Sequence, residues 1–199
     1  MKKILILGAS GMAGHMIYYY FSSLKKYHIF TVCHTMPLNE NSFMLDIYNT
    51  EKLTKILIDT KPDIIINCIG VLIKGAQKSI ENTVYINAYY PHLLVHIIEK
   101  DLKDVKLIHI STDCVFSGKK GNYTVDDIKD ALDVYGMTKN LGEIINKRDL
   151  TIRTSIIGPE LKKDGEGLFH WLFANRGGGN WLYKIDLGRG YDIRACKIH

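Results

Sequence analysis

Lys3-Ile4-Leu5-Ile6-Leu7-Gly8-Ala9-Ser10-Gly11-Met12-Ala13-Gly14 decides how the rest of the chain is read. A compact apolar run ends at Gly8. Gly8, Gly11 and Gly14 then stand at G-x-x-G-x-x-G spacing as a helical pattern opens at Met12. A strand that turns into a helix this way aims backbone N–H groups at an anion on the helix N-terminus. The last glycine lets helix and strand pack closely. A glycine triplet alone fits an empty turn as well; its place at the first strand of an alternating chain gives it meaning.

Outward from that turn, short β-branched runs alternate with longer helical patterns. The strands read as Lys3 to Leu7, Ile29 to Cys33, Asp63 to Ile69, Val105 to Ser111 and Leu150 to Ile157. The helices read as Met12 to Leu24, Thr50 to Asp59, Glu81 to Lys100 and Tyr135 to Lys147. Continuous apolar strands separated by helices mean an α/β fold, a Rossmann-like doubly wound parallel sheet with helices on both faces. The longest loop, Phe116 to Val134, is polar and follows a strand end, where loops tend to be functional.

Composition narrows the class. The 199 residues are 46% hydrophobic and 24% charged, which excludes a disordered or collagen-like chain. No apolar run approaches the ~18 residues of a membrane span. The N-terminal apolar run is too short for a signal-peptide core, so a cytoplasmic protein is expected. A net charge of +5 comes from scattered lysines without a basic block, and no nucleic-acid partner is expected. Cys33, Cys68, Cys114 and Cys196 have no C-x-x-C spacing. They read as reduced thiols, and no metal site is expected.

Tyr135-Gly136-Met137-Thr138-Lys139 puts a phenol and an ammonium on one helical face. A neighbouring positive charge stabilises phenolate, so Lys139 is expected to lower the Tyr135 pKa and fit it for acid–base work. Ile108-His109-Ile110-Ser111-Thr112-Asp113 ends a strand in two hydroxyls. In an open α/β sheet the carboxyl ends of strands face the ligand crevice, so these groups can converge there. An acidic residue after the second strand would favour NAD. Here Cys33-His34-Thr35-Met36 follows with no carboxylate before Glu40. His34 is placed to face a 2′-phosphate, and NADP(H) is expected over NAD(H).

Three motifs together, GASGMAGH at 8–15, STDCVFSG at 111–118 and YGMTKNLGE at 135–143, resemble the extended short-chain dehydrogenase/reductases. The most similar branch is dTDP-4-dehydrorhamnose reductase and its nucleotide-sugar relatives. The resemblance implies NADP(H)-dependent reduction of a 4-keto nucleotide-sugar in surface-polysaccharide synthesis. Tyr135 would be the proton donor, Lys139 its activator and a nicotinamide-ribose contact, and Thr112 the partner of the substrate carbonyl, with Ser111 the weaker candidate. The resemblance implies cofactor contacts at Gly8, Ser10, Gly11, Met12, Gly14, His34, Asp46, Ile47, Cys68, Ile69, Gly70 and Asn87, besides Tyr135 and Lys139. Arg153 would end the next strand near the substrate. It allows a homodimer. Cys114 stands where rhamnose reductases usually carry tyrosine. Asn67 to Lys74 and Tyr85 to His92 look more like a branch acting on UDP-linked amino sugars. The alternatives are a nucleotide-sugar epimerase or dehydratase on the same scaffold, and a non-catalytic NAD(P)-binding regulator like the methionine adenosyltransferase subunit that resembles this branch.

Residues 1–157 are thus expected to form the cofactor domain and 158–179 to begin the substrate-binding region. From Asn180 to His199 no clear periodicity appears. Back-translation from Gly179 with chosen synonymous codons, read one base later, spells EIGYTKSIWGGVTTLELAK, which looks like the family's continuation. Residues 180–199 are therefore expected to be an out-of-frame tail, and the substrate subdomain to be incomplete.

Overall fold

The computed structural model describes residues 1–158, 160 and 161. The expectations for 162–179 and for the 180–199 tail lie outside the described residues. Six parallel strands form one sheet: β1 (Lys2–Leu7), β2 (Tyr27–Cys33), β3 (Phe43–Met44), β4 (Ile64–Asn67), β5 (Lys106–Thr112) and β6 (Leu150–Thr154), in the order β3-β2-β1-β4-β5-β6. Ile4, Leu5, Ile6 and Leu7 of β1 are all buried, because a central parallel strand is covered on both faces. That is why the run is continuously apolar rather than alternating.

The helices are α1 (Met12–Ser23), α2 (Thr50–Thr60), α3 (Ile73–Lys78), α4 (Ile80–Thr83), α5 (Tyr90–Asp101) and α6 (Val134–Leu141). Asn49 caps α2 by accepting from Lys52 N, and Lys61 ends it in a left-handed conformation just before Pro62. A π-helical turn, Val84–Tyr89, joins α4 to α5 and makes one long helical segment of the region expected at Glu81 to Lys100. One core layer packs Leu53, Ile56 and Leu57 of α2 and Leu94 and Ile98 of α5 against Leu5, Leu7, Ile65 and Leu107. Ile4, Ile6 and Ile66 point the other way, toward Ile17 and Phe21 of α1. Helices thus cover both faces, as expected.

Three details differ from the sequence reading. β3 has two residues, too few to carry a period, yet it extends the sheet. β4 stops at Asn67 and β6 at Thr154, earlier than expected. The helix expected from Tyr135 to Lys147 ends at Leu141. Its Gly142 lies against the Asn87 carbonyl, where a Cβ would stand 1.9 Å from that oxygen. No helix among the described residues is long and apolar enough to cross a membrane.

Candidate active site

Because every strand is parallel, all carboxyl ends open on one edge of the sheet. The Gly8–Gly14 turn follows β1, His34 follows β2, Asp46 and Ile47 follow β3, Cys68 to Gly70 follow β4, and Thr112 ends β5. The connection from β1 runs to β2 on one side, and β4 pairs β1 on the other, so the glycine turn sits at the switch point where such sheets bind ligands. The turns after β1 and β4 touch there: a Cβ on Gly8, whose φ is +74°, would lie 3.0 Å from the Ile69 side chain. Gly11 N donates to Gly8 O at 3.0 Å and Ala9 N to Val32 O at 3.0 Å, which fixes the turn.

Helix α1 begins at Gly11 with no side-chain cap and no acidic residue in its first turn. Its first N–H groups and the positive end of its dipole are therefore open to an anion. Gly11 offers no Cβ to block the approach. These residues fit a dinucleotide pyrophosphate. His34 and Asp46 are exposed, Ile47, Cys68 and Ile69 half-buried, and Gly70 exposed. Asn87 is placed differently from a free contact. Its Oδ1 accepts from Val71 N at 2.8 Å and its Nδ2 donates to Val71 O at 3.0 Å, so it grips the loop that carries Gly70.

At the β5 end, strand alternation separates the two hydroxyls. Ser111 Oγ donates to Glu143 Oε1 at 3.0 Å and is buried away from the mouth. Thr112 stands at the mouth, where its hydroxyl faces the Tyr135 phenol. Tyr135 lies in the first turn of α6, which Asp133 caps by accepting from Gly136 N at 2.9 Å. Gly136 rests on the Cys114 carbonyl so closely that a Cβ would lie 2.3 Å from that oxygen. Lys139 is 4% exposed, and its Nζ donates to Ile110 O at 2.7 Å.

A family model described as RmlD substrate binding domain matches residues 1–173. The chain belongs to that family. The dTDP-4-dehydrorhamnose reductase of Aggregatibacter actinomycetemcomitans is 27% identical over 161 residues, 78% of this chain and 51% of that protein. The chain spans about half the length of the curated relatives it matches. Among solved structures, a hypothetical dTDP-4-dehydrorhamnose reductase from Sulfolobus tokodaii is similar with a TM-score of 0.69 and 31% identity, covering 77% of this chain and 55% of that one. The dTDP-4-dehydrorhamnose reductase of Bacillus anthracis, in complex with NADP, has a TM-score of 0.65 and 25% identity, covering 77% and 53%.

Electrostatics in this RmlD-family site correct one expectation. The Tyr135 phenol lies above its ordinary pKa, not below. Burial is the main cause; Thr112 pulls the other way, and Cys114, Asp113 and Asp133 push up further. Lys139 does not offset this, because its ammonium points at the Ile110 carbonyl. Burial also brings the lysine itself down to about 8, while the Glu143 carboxylate holds it up. Cys68 is pushed up to about 12 by burial, against the pull of Lys139. Its thiol is therefore protonated and inert.

Two buried networks carry no spacing signal in the sequence. Glu143 accepts from Arg153 Nε at 2.7 Å and Nη2 at 2.8 Å, and pairs with Lys129 Nζ at 3.0 Å. Burial would raise its carboxyl, but Arg153, Lys129 and Ser111 outweigh that and hold it low. Arg153 also donates to Val125 O at 3.0 Å and lies over the Phe116 ring. It therefore anchors the 116–133 loop to the sheet rather than standing free.

The second network is Asn67 with His109. Asn67 Oδ1 accepts from Ile69 N, which turns its Nδ2 to His109 Nδ1 at 3.1 Å. The ring proton then sits on Nε2, which is buried without a partner. Burial first, then the charge of Lys139, brings His109 down to about 3 from 6.5. Between those values the unfolded chain binds a proton that the folded chain does not, so stability falls as pH falls through the window. Each pH unit inside it is worth about 1.4 kcal/mol. His109→Gln, which keeps the bond to Asn67 and cannot titrate, should flatten the loss of urea midpoint between about pH 6.5 and 4. An unchanged slope would assign the acid loss to other groups.

Proposed function

We propose that this chain carries the cofactor half of an NADP(H)-dependent reductase acting on a 4-keto nucleotide-sugar. One observation carries the reading: Thr112 and Tyr135 meet at the carboxyl edge of the sheet, with Lys139 beneath, beside an open glycine turn at the switch point. Membership of the RmlD family and the likeness to dTDP-4-dehydrorhamnose reductases support it. Preference for NADP(H) rests on His34 and the lack of a carboxylate after β2, and the NADP complex of the Bacillus anthracis relative supports it. Residues 1–157 form the cofactor domain in this reading, and 158–179 begin the part that grips the sugar.

The nicotinamide cofactor supplies the hydride when bound. The uncapped α1 N-terminus with Gly8, Ser10, Gly11, Met12 and Gly14 would hold its pyrophosphate, and Cys68 to Gly70 would line its path. Tyr135, with its proton held firmly at neutral pH, gives that proton to the carbonyl oxygen as the alcohol forms. Thr112 orients the same oxygen. Lys139, charged below about pH 8, would hold the cofactor's ribose, its Nζ being turned to Ile110 O rather than to the phenol.

The test is direct. NADPH fluorescence on mixing with the purified chain reads cofactor binding, and loss of NADPH absorbance with 4-keto dTDP- and UDP-sugars reads turnover. Binding is expected of this chain, and turnover of a chain in which the part that grips the sugar is complete. Binding without turnover in that complete chain would favour a regulatory subunit, and no binding at all would sink both readings.

A further inference from the structure

Helix α1 is apolar on the side that should meet water. From Met12 to Ser23 it contains no charged residue. Ile17, Tyr18 and Phe21 pack on the layer of Ile4, Ile6 and Ile66. The outer face repeats at helical spacing as Met16, Tyr19 and Tyr20, which are 50%, 52% and 62% exposed. Helix α2 shows the ordinary arrangement, with Glu51, Lys52, Lys55 and Asp59 on its exposed side. A helix that is apolar all round is normally covered all round. Helix α1 is covered on one side.

The charge around that face has one sign. Residues 1–39 hold four lysines, no arginine and no aspartate or glutamate, so this stretch supplies +4 of the chain's net +5. Lys3 points to the other side of the sheet, where its Nζ donates to Thr60 O at 3.2 Å. Lys25 and Lys26 follow the end of α1 and are exposed. That end returns to the edge of the sheet where β1 and β2 begin. Lys2 stands there too, exposed, opposite Tyr27 in register and on the same side of β1 as Ile4 and Ile6, the side that α1 covers. Three ammonium groups thus border the end of α1, and among the described residues none has a carboxylate within ion-pair distance. Asp63, which precedes β4 on the same edge, is held by Lys3 N at 2.6 Å.

We propose that the outer face of α1 docks this protein on an anionic lipid surface, with Met16, Tyr19 and Tyr20 entering the headgroup layer and Lys2, Lys25 and Lys26 facing the phosphates. Charge argues against the other occupants within reach. A second copy would bring the same lysines against these. Residues 162–199 carry seven basic side chains against four acidic ones and are no complement either. An acidic protein would match the sign, but protein interfaces are enriched in arginine and depleted in lysine, and every cation here is lysine. A lysine ammonium on its flexible stem needs no fixed partner geometry, which suits a fluid anionic surface. Tyrosine lays an apolar ring into such a surface and keeps its hydroxyl at headgroup level. The lysines stand at the edge opposite the carboxyl ends of the strands, so docking leaves the mouth of the proposed site open. The inference therefore does not rest on the reductase reading.

The experiment sediments the full chain with vesicles of phosphatidylcholine containing about 30 mol% phosphatidylglycerol, and with vesicles of phosphatidylcholine alone. Binding to the anionic vesicles is expected to be tighter by about 10-fold or more, and to be lost as salt rises from about 0.05 to 0.5 M. Lys25→Glu with Lys26→Glu should weaken it by about 10-fold or more. Tyr19→Ser with Tyr20→Ser should weaken it by about 5- to 10-fold at unchanged charge. Lys52→Glu with Lys100→Glu makes the same change in net charge on α2 and α5, which pack on the other face of the sheet, and should leave most of the binding in place. Circular dichroism confirms the fold of each variant. No binding to anionic vesicles at low salt would overturn the proposal. Equal losses in the two lysine pairs would overturn it too, by assigning the effect to net charge, and so would undiminished binding by the tyrosine pair. Retention on polyglutamate without vesicle binding would overturn it and point to an acidic protein. NADPH binding is read separately, so a failed reductase reading leaves the vesicle result standing.

Discussion

Tyr135→Phe, in a chain whose sugar-gripping part is complete, is expected to cut turnover by a factor of about 10² to 10⁴ while leaving NADPH binding in place. The ring stays, so the packing of α6 on the turn after β5 is kept. Only the hydroxyl that faces Thr112 is lost. The pH profile separates Tyr135 from its neighbour. The phenol lies above its ordinary pKa and does not limit the rate near neutrality. Lys139 lies at about 8, so its ammonium is lost first as pH rises. An alkaline fall in kcat with a midpoint near that value is therefore expected, and it belongs to the lysine. Lys139→Arg, whose side chain keeps its charge, should move that fall upward. Turnover that survives Tyr135→Phe would remove the tyrosine from the chemistry.

The strands at the centre of the sheet were legible because burial on both faces writes itself as an unbroken apolar run. Ile4 to Leu7, Ile64 to Ile66 and Leu107 to Ile110 are of that kind, interrupted only by His109. What escaped was set by contacts between distant segments. At the end of α6, Gly142 is a helix-stop residue in sequence, but its close approach to the Asn87 carbonyl joins segments far apart in the chain. β3 exists because Val32 and Cys33 lie opposite Phe43 and Met44, a register rather than a pattern. The same division holds at the candidate site. Tyr135 and Lys139 are separated by one helical turn, so their spacing is visible. The direction of the Lys139 ammonium is not, since its partner is the main-chain oxygen of Ile110 on another element. A pKa follows the environment of the atom. For that reason, the expected lowering of Tyr135 failed where the pairing of residue types was right. His109 beside Asn67 and Arg153 beside Glu143 are invisible for the same reason.

Gly14→Ala tests the stretch that decides the fold. Gly14 has ordinary helical surroundings in sequence, and alanine is the better helix former by about 1 kcal/mol. Propensity alone therefore makes the substitution stabilising. Packing says the reverse. A Cβ at Gly14 would lie 2.2 Å from Gly8 O, 2.8 Å from Ala9 Cα and 2.9 Å from Gly8 C. All three are backbone atoms of the turn, so no side chain can rotate out of the way. Helix α1 would have to lift off β1, with His15 and Ile17 losing their places and the Gly8–Gly11 hydrogen bond under strain. A loss of about 2 to 4 kcal/mol in urea unfolding is expected, with weaker NADPH binding because the lifted helix no longer aims its N–H groups at the turn. Two controls separate the causes. Gly118→Ala removes a glycine at φ +80° with open space around it, and should cost only the backbone strain of about 1 kcal/mol. Gly11→Ala, at φ −76° and with a single neighbour at 3.2 Å, should cost less than Gly14→Ala. If Gly14→Ala proved as mild as these controls, close helix–strand contact would not be the reason for glycine at this position.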